Sequence, residues 1–139
     1  MFHVLVIDDD EQMQFFLNEA LQRYGYAVTS RKNAEEGLQV LKADGPDLVL
    51  LDLGLPGMSG LDAVGEMLKI DPSVPIIMMT AHGTRDIAID AIRRGAYDYF
   101  TKPFRLEEME IVIRRALEKR RLHFEIERLR GELASAPGH

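Results

Sequence analysis

Three consecutive aspartates, Asp8-Asp9-Asp10, follow a short apolar run in this 139-residue chain, and a fourth aspartate, Asp52, closes the run Leu48-Val49-Leu50-Leu51. Two more apolar stretches end in Thr80 and in Thr101-Lys102-Pro103. Brought together, carboxylates from separate runs repel each other, and in a partly desolvated cleft one of them protonates unless a cation intervenes. A hard divalent cation resolves this, because Mg2+ takes oxygen ligands and is held by one or two carboxylates, water and phosphate oxygens. There is no Cys, and the one nearby His is His82, so zinc or copper fits poorly. Lys102 adds a fixed positive charge and Thr80 a hydroxyl donor. Acid, metal, ammonium and hydroxyl together suit phosphoryl transfer, which depends on positioning and on neutralising the equatorial oxygens. An aspartate can itself be the nucleophile and form an acyl phosphate. Asp52, alone at a run end and followed by a Gly/Pro loop, is the candidate, with Asp8 and Asp9 as metal ligands.

These residues need a scaffold that places run ends side by side. Runs rich in Val, Ile and Leu recur at Val4–Ile7, Ala27–Thr29, Leu48–Leu51, Ile76–Met79 and Asp98–Thr101. Stretches of helical periodicity separate them. Met13, Phe16, Leu17, Ala20, Leu21 and Tyr24 fall at three- and four-residue steps before Gly25, and Asp10 is placed to cap that helix. Further helices are predicted from about Asn33 to Ala43, Ser59 to Ile70, Thr84 to Arg94, and from Leu106 onward. Strand-helix repeats whose central strands read as continuous hydrophobic runs imply a parallel sheet covered by helices on both faces. Such doubly wound sheets bind ligands outside the carboxyl ends of their strands. All the candidate residues sit at that rim.

Length and composition limit the alternatives. The chain has room for one domain with a core of its own plus a helical extension. Its 46% apolar and 29% charged residues describe a folding globular chain. The longest apolar runs fall far short of the roughly 20 residues that cross a bilayer, and the N-terminus lacks a signal-peptide pattern. A cytoplasmic protein is expected. The net charge of −6 is concentrated in residues 1–104, with 16 acids against 9 bases, which disfavours direct nucleic acid binding.

Four segments in order, Val-Ile-Asp8-Asp9-Asp10, Leu-Asp52-Leu-Gly-Leu-Pro56-Gly-Met-Ser-Gly60, Met-Thr80-Ala81 and Tyr99-Phe-Thr-Lys102-Pro103-Phe104, make residues 3 to about 118 resemble a bacterial response-regulator receiver domain. The resemblance implies a flavodoxin-like (βα)5 fold with strand order 2-1-3-4-5 and an extended C-terminal helix. It implies Asp52 as phospho-acceptor from a sensor histidine kinase, and Mg2+ held by Asp9, Asp52 and the backbone carbonyl of Gly54, with Asp8 acting through water. It also implies that Lys102 and Thr80 contact the phosphoryl group and that Thr80 and Tyr99 form a coupled switch. In this family the positions two after the acceptor and two after the Thr tune the acyl-phosphate lifetime; here they are Gly54, with no side chain to orient water, and His82. Taken singly, Asp8-Asp9-Asp10 also reads as a solvated turn, Thr80 as a β-branched strand residue and Tyr99 as a core aromatic.

The chain divides into a receiver at 1–118, a helical extension at 119–134 and a disordered tail at 135–139. In the extension, Leu122, Ile126, Leu129 and Leu133 repeat at steps of four, three and four, a coiled-coil seam that predicts a homodimer through the fifth helix. Folding back on its own domain is the alternative use of that face. The run Lys119-Arg120-Arg121 is offset by Glu118, Glu125, Glu127 and Glu132, which predicts a salt-bridged exposed face. The extension, Thr80-Ala81-His82-Gly83 and Gly95-Ala96-Tyr97-Asp98-Tyr99 are similar to the receiver and linker of the nitrogen-regulation class of sigma-54-dependent activators. Downstream ATPase and DNA-binding domains are then expected, yet the 139 residues contain no G-x-x-x-x-G-K-[ST]. A stand-alone receiver that relays phosphate or binds a partner stays open, as does a haloacid-dehalogenase-like phosphatase, although Gly54 stands where that family has its general acid. The reading is thus a phospho-accepting signalling domain that catalyses only its own phosphorylation and dephosphorylation.

Overall fold

A computed structural model describes residues 1–81 and 85–135. His82, the expected helix start at Thr84 and residues 136–139 of the tail lie outside them. Strands β1 (His3–Ile7), β2 (Ala27–Arg31), β3 (Leu48–Asp52), β4 (Ile76–Thr80) and β5 (Asp98–Thr101) alternate with helices α1 (Glu11–Arg23), α2 (Ala34–Asp44), α3 (Gly60–Ile70), α4 (Arg85–Arg93) and α5 (Leu106–Ser135). The strands form one sheet in the order β2-β1-β3-β4-β5, and each neighbouring pair is parallel. This is the expected flavodoxin-like arrangement.

Alternation along the strands sends side chains to two cores. Leu5, Ile7, Val49, Leu51, Ile76 and Met78 pack with Ala34, Val40, Ala63, Val64, Met67 and Ala91 of α2, α3 and α4. Val4, Val6, Leu48, Leu50, Ile77 and Met79 pack with Leu17, Leu21, Met109, Ile113 and Leu117 of α1 and α5. The three central strands β1, β3 and β4 are covered on both faces, which is why they carry no polar alternation. On α2, Gly37 lies against Ile7: a Cβ there would overlap the Ile7 side chain, so the helix rests directly on the sheet.

Local chemistry explains the element starts. Asp10 caps α1 by accepting from Gln12 N at 2.9 Å, as its position predicts. Asn33 caps α2 through Glu36 N at 2.8 Å, and Ser59 caps α3 through Asp62 N at 3.1 Å. The second strand runs two residues past the expected Thr29, to Arg31. The five-residue register of β1 carries the ladder through Ser30 and Arg31, and a half-buried edge tolerates polar side chains.

The last helix is one unbroken element of 30 residues. It runs on with Leu122, Ile126, Leu129 and Leu133 exposed, and it does not fold back. The Arg121–Glu118, Arg128–Glu125 and Arg130–Glu127 pairs form the expected charged face. Arg120 departs from it. Its side chain is buried, donating to Asp71 Oδ2 at 2.8 Å and Ser73 Oγ at 3.0 Å, pairing with Asp47, and lying 4.6 Å over the Phe124 ring. The helical phase of residue 120 turns it under the sheet, toward acids brought there from the loops before β3 and β4.

A second buried polar contact ties α5 to the start of β2. Tyr26 OH donates to Glu110 Oε1 at 3.0 Å, and Arg114 pairs with the same carboxylate. Arg114, chiefly, holds the Glu110 carboxyl below its ordinary value. Burial, helped by the Glu110 carboxylate, pushes the Tyr26 phenol up to about 12. A group with a raised folded-state pKa adds stability that is present below its unfolded value and lost as pH rises through the folded one. Tyr26→Phe is therefore expected to lower stability by about 1 kcal/mol near neutrality. The deficit should shrink as pH rises from the ordinary phenol value near 10 to about 12, as followed by urea unfolding of both proteins.

Candidate functional site

Four of the five strands deliver a polar residue to one rim of the sheet. Asp8 follows β1, Asp52 ends β3, Thr80 ends β4 and Lys102 follows β5. Because β1 and β3 are neighbours, Asp8 and Asp52 stand side by side. Lys102 reaches across the end of β4 to both, with Nζ 2.9 Å from Asp8 Oδ2 and 3.4 Å from Asp52 Oδ2. Asp8 and Asp52 are buried and Asp9 is exposed, and one carboxylate oxygen from each lies within 4.8 Å of the others.

Each acid is fixed by backbone donors. Asp8 Oδ1 accepts from Asp10 N at 2.9 Å, and Asp52 Oδ1 accepts from Gly54 N at 3.0 Å. Burial, the largest influence, together with the charge of Asp52, raises the Asp8 carboxyl above its ordinary value against the pull of the Asp10 N–H and Lys102. Burial also opposes the Lys102 ammonium, but the Asp8 hydrogen bond and the Asp52 and Asp8 charges outweigh it and raise that pKa. Three carboxylates against one ammonium leave the cluster two positive charges short. Its donors are all oxygen, so the residues present fit a hard divalent cation.

The other expected residues lie close by in the fold with different partners. The Thr80 hydroxyl is buried and donates to the Phe100 carbonyl of β5 at a long 3.4 Å. Tyr99 is half-buried against the α2–α3–α4 core, and it pairs in register with Met78, two residues before Thr80, so both face the same side of the sheet. Gly54 sits beside Asp52, and among the described residues a Cβ on it would meet only Asp52 Oδ1, at 3.6 Å. Leu122, Ile126, Leu129 and Leu133 are remote from the rim, on the extended helix.

Two residues at the site have no signal in their own type or spacing. Gln14 on α1 donates through Nε2 to the Asp8 carbonyl at 2.6 Å and the Arg31 carbonyl at 3.1 Å. Glu35 on α2 accepts from Met58 N at 3.2 Å and so braces the loop after Asp52. Only the registry of β1 with β2, and of α2 with that loop, brings these groups into place.

A family model described as the response regulator receiver domain matches residues 4–114. The chain is 40% identical over 127 residues to the C4-dicarboxylate transport transcriptional regulatory protein DctD of Rhizobium meliloti, covering 91% of this chain and 28% of that protein. It is 38% identical over 114 residues to the DNA-binding transcriptional regulator NtrC of Escherichia coli, covering 82% and 24%. Among solved structures, NtrX from Brucella abortus in complex with ADP superposes with a TM-score of 0.86 at 34% identity, covering 93% of this chain and 30% of that one. A response regulator receiver domain protein from Clostridium thermocellum gives 0.83 at 31% identity, covering 88% and 98%. The chain spans less than a third of the length of these two curated relatives. With a family model spanning residues 4–114 and the sheet order of that fold, the chain belongs to the response regulator receiver domain family, related to the receivers of NtrC and DctD.

Proposed function

We propose that the chain is a phosphorylation-activated receiver of a two-component system, accepting a phosphoryl group on Asp52 from a sensor histidine kinase. The observation that carries this reading is the Lys102 ammonium lying within 3.4 Å of both Asp8 and Asp52. In the transfer, an Asp52 carboxylate oxygen bonds to phosphorus while the bond from phosphorus to the donor breaks, and the leaving group keeps the electron pair. Lys102 is placed to neutralise oxygens of the incoming group. Asp9, Asp52 and the Gly54 carbonyl would hold Mg2+, with Asp8 acting through water, and the ion would supply further neutralisation of those oxygens. No helix among the described residues is long and apolar enough to cross a membrane, in keeping with a cytoplasmic site of action.

The switch follows from the weak bond that Thr80 now makes. A phosphoryl group on Asp52 offers stronger acceptors than a carbonyl at 3.4 Å, so the hydroxyl turns toward it and the space behind admits the Tyr99 ring. The face of α4, β5 and α5 then changes shape. The exposed Leu122, Ile126, Leu129 and Leu133 support a homodimer along α5, with a transcription-activating output of the kind found in sigma-54-dependent regulators.

Asp52→Ala is expected to reduce labelling by acetyl phosphate and Mg2+ to background, as read by Phos-tag electrophoresis or intact mass; undiminished labelling ends the assignment. Gly54→Asn, whose Cβ would meet Asp52 Oδ1 at an ordinary 3.6 Å among the described residues, supplies an amide to orient water and should shorten the phosphoprotein half-life about tenfold. Thr80→Ala should accept phosphate yet lose the change in sedimentation that beryllofluoride produces in the parent protein. The absence of any such change in the parent points to a monomeric relay.

A further inference from the structure

Asp9 is the exposed member of the acidic cluster, and its turn is tied by the residues on either side of it, Asp10 N donating to Asp8 Oδ1 and Gln12 N to Asp10 Oδ1. Where its carboxylate stands is therefore decided by the peptide units that flank it. Asp8 is held through both of its backbone polar groups, and its carbonyl belongs to the peptide that leads into Asp9. Asp8 N donates to the Arg31 carbonyl at 3.0 Å and extends the β1–β2 ladder by one rung. The Asp8 carbonyl, past the end of β1, has no strand donor to meet and accepts instead from Gln14 Nε2 at 2.6 Å. The same nitrogen reaches the Arg31 carbonyl, the last of β2, at 3.1 Å.

A carboxamide nitrogen carries two hydrogens, and here each has a carbonyl to meet. Glu at this position would set a carboxylate against two carbonyl oxygens. Ala would leave the Asp8 carbonyl free to rotate its peptide, and Asp9 would swing with it. Rotation of one peptide plane moves a ligand atom by an ångström or more, enough to spoil an octahedral site that demands near-ideal geometry.

We propose that Gln14 is a positioning residue for the acidic cluster: by donating both carboxamide N–H groups to the carbonyls that end β1 and β2, it fixes the peptide from which Asp9 is presented to a divalent cation. The inference rests on the receiver reading and deepens it, since it assigns the orientation of a metal ligand to a side chain on α1 that touches neither metal nor phosphate. It also gives β2, the edge strand, a part in the site through the Arg31 carbonyl.

Gln14→Met keeps the length and packing of the side chain and removes both donors. Mg2+ affinity of the 139-residue chain, measured by isothermal titration, should fall about tenfold or more, as metals do when the groups orienting their ligands are lost. The backbone amide signals of Asp9 and Asp10 should shift in the metal-free protein, whereas those of β4 stay in place. If Gln14→Met does not fold, Gln14→Asn, one methylene too short to span both carbonyls, should give the same two results. Parental Mg2+ affinity in a folded variant, or unmoved Asp9 and Asp10 amides, overturns the proposal. Failure of the parent protein to bind Mg2+ overturns the receiver reading instead, and the amide shifts then decide separately whether Gln14 orders the turn.

Discussion

Two buried carboxylates set side by side cost free energy, and the rim of this sheet exists around that cost. Asp8 and Asp52 stand at the ends of adjacent strands with one ammonium between them, and Asp9 adds a third negative charge. The Asp8 carboxyl is raised by burial even with its hydrogen bonds in place. A site in that condition binds cations, and groups that carry cations with them, more readily than it rests alone. Charge held out of balance by a rigid scaffold is what a domain needs if it is to be altered by adding a phosphoryl group.

The scaffold is rigid for ordinary reasons. Parallel strands buried on both faces leave β1, β3 and β4 no freedom of register, because a shift by one residue would exchange the two cores. Carboxyl ends of neighbouring strands must then coincide. The site is thus assembled by topology, and the side chains that face it need only the right type at the last residue of each strand or the first beyond it.

That division accounts for what could be read from the amino-acid order. The apolar runs and the caps Asp10, Asn33 and Ser59 depend on neighbours a few residues away, so the element order was legible, and with it the rim and its four acidic and basic members. Arg120 was not legible: its partners Asp71 and Asp47 are far off in sequence, and it sits in a basic run that otherwise lies on the surface. The same holds for Tyr26 with Glu110, which are 84 residues apart, and for Gln14, whose task depends on two carbonyls that any residue could supply. Backbone acceptors leave no trace in residue type.

Arg120 also bears on how movement travels. It pins α5 at the level where the helix leaves the sheet, so the 15 residues from there to Ser135 project as a stiff rod of about 23 Å. A rod hinged at its base multiplies angle into distance: a tilt of about 10° there sweeps the far end through about 4 Å, roughly three-quarters of the rise of one helical turn. Displacements too small to matter among packed side chains become, at that remove, large enough to change where the exposed Leu122, Ile126, Leu129 and Leu133 are presented.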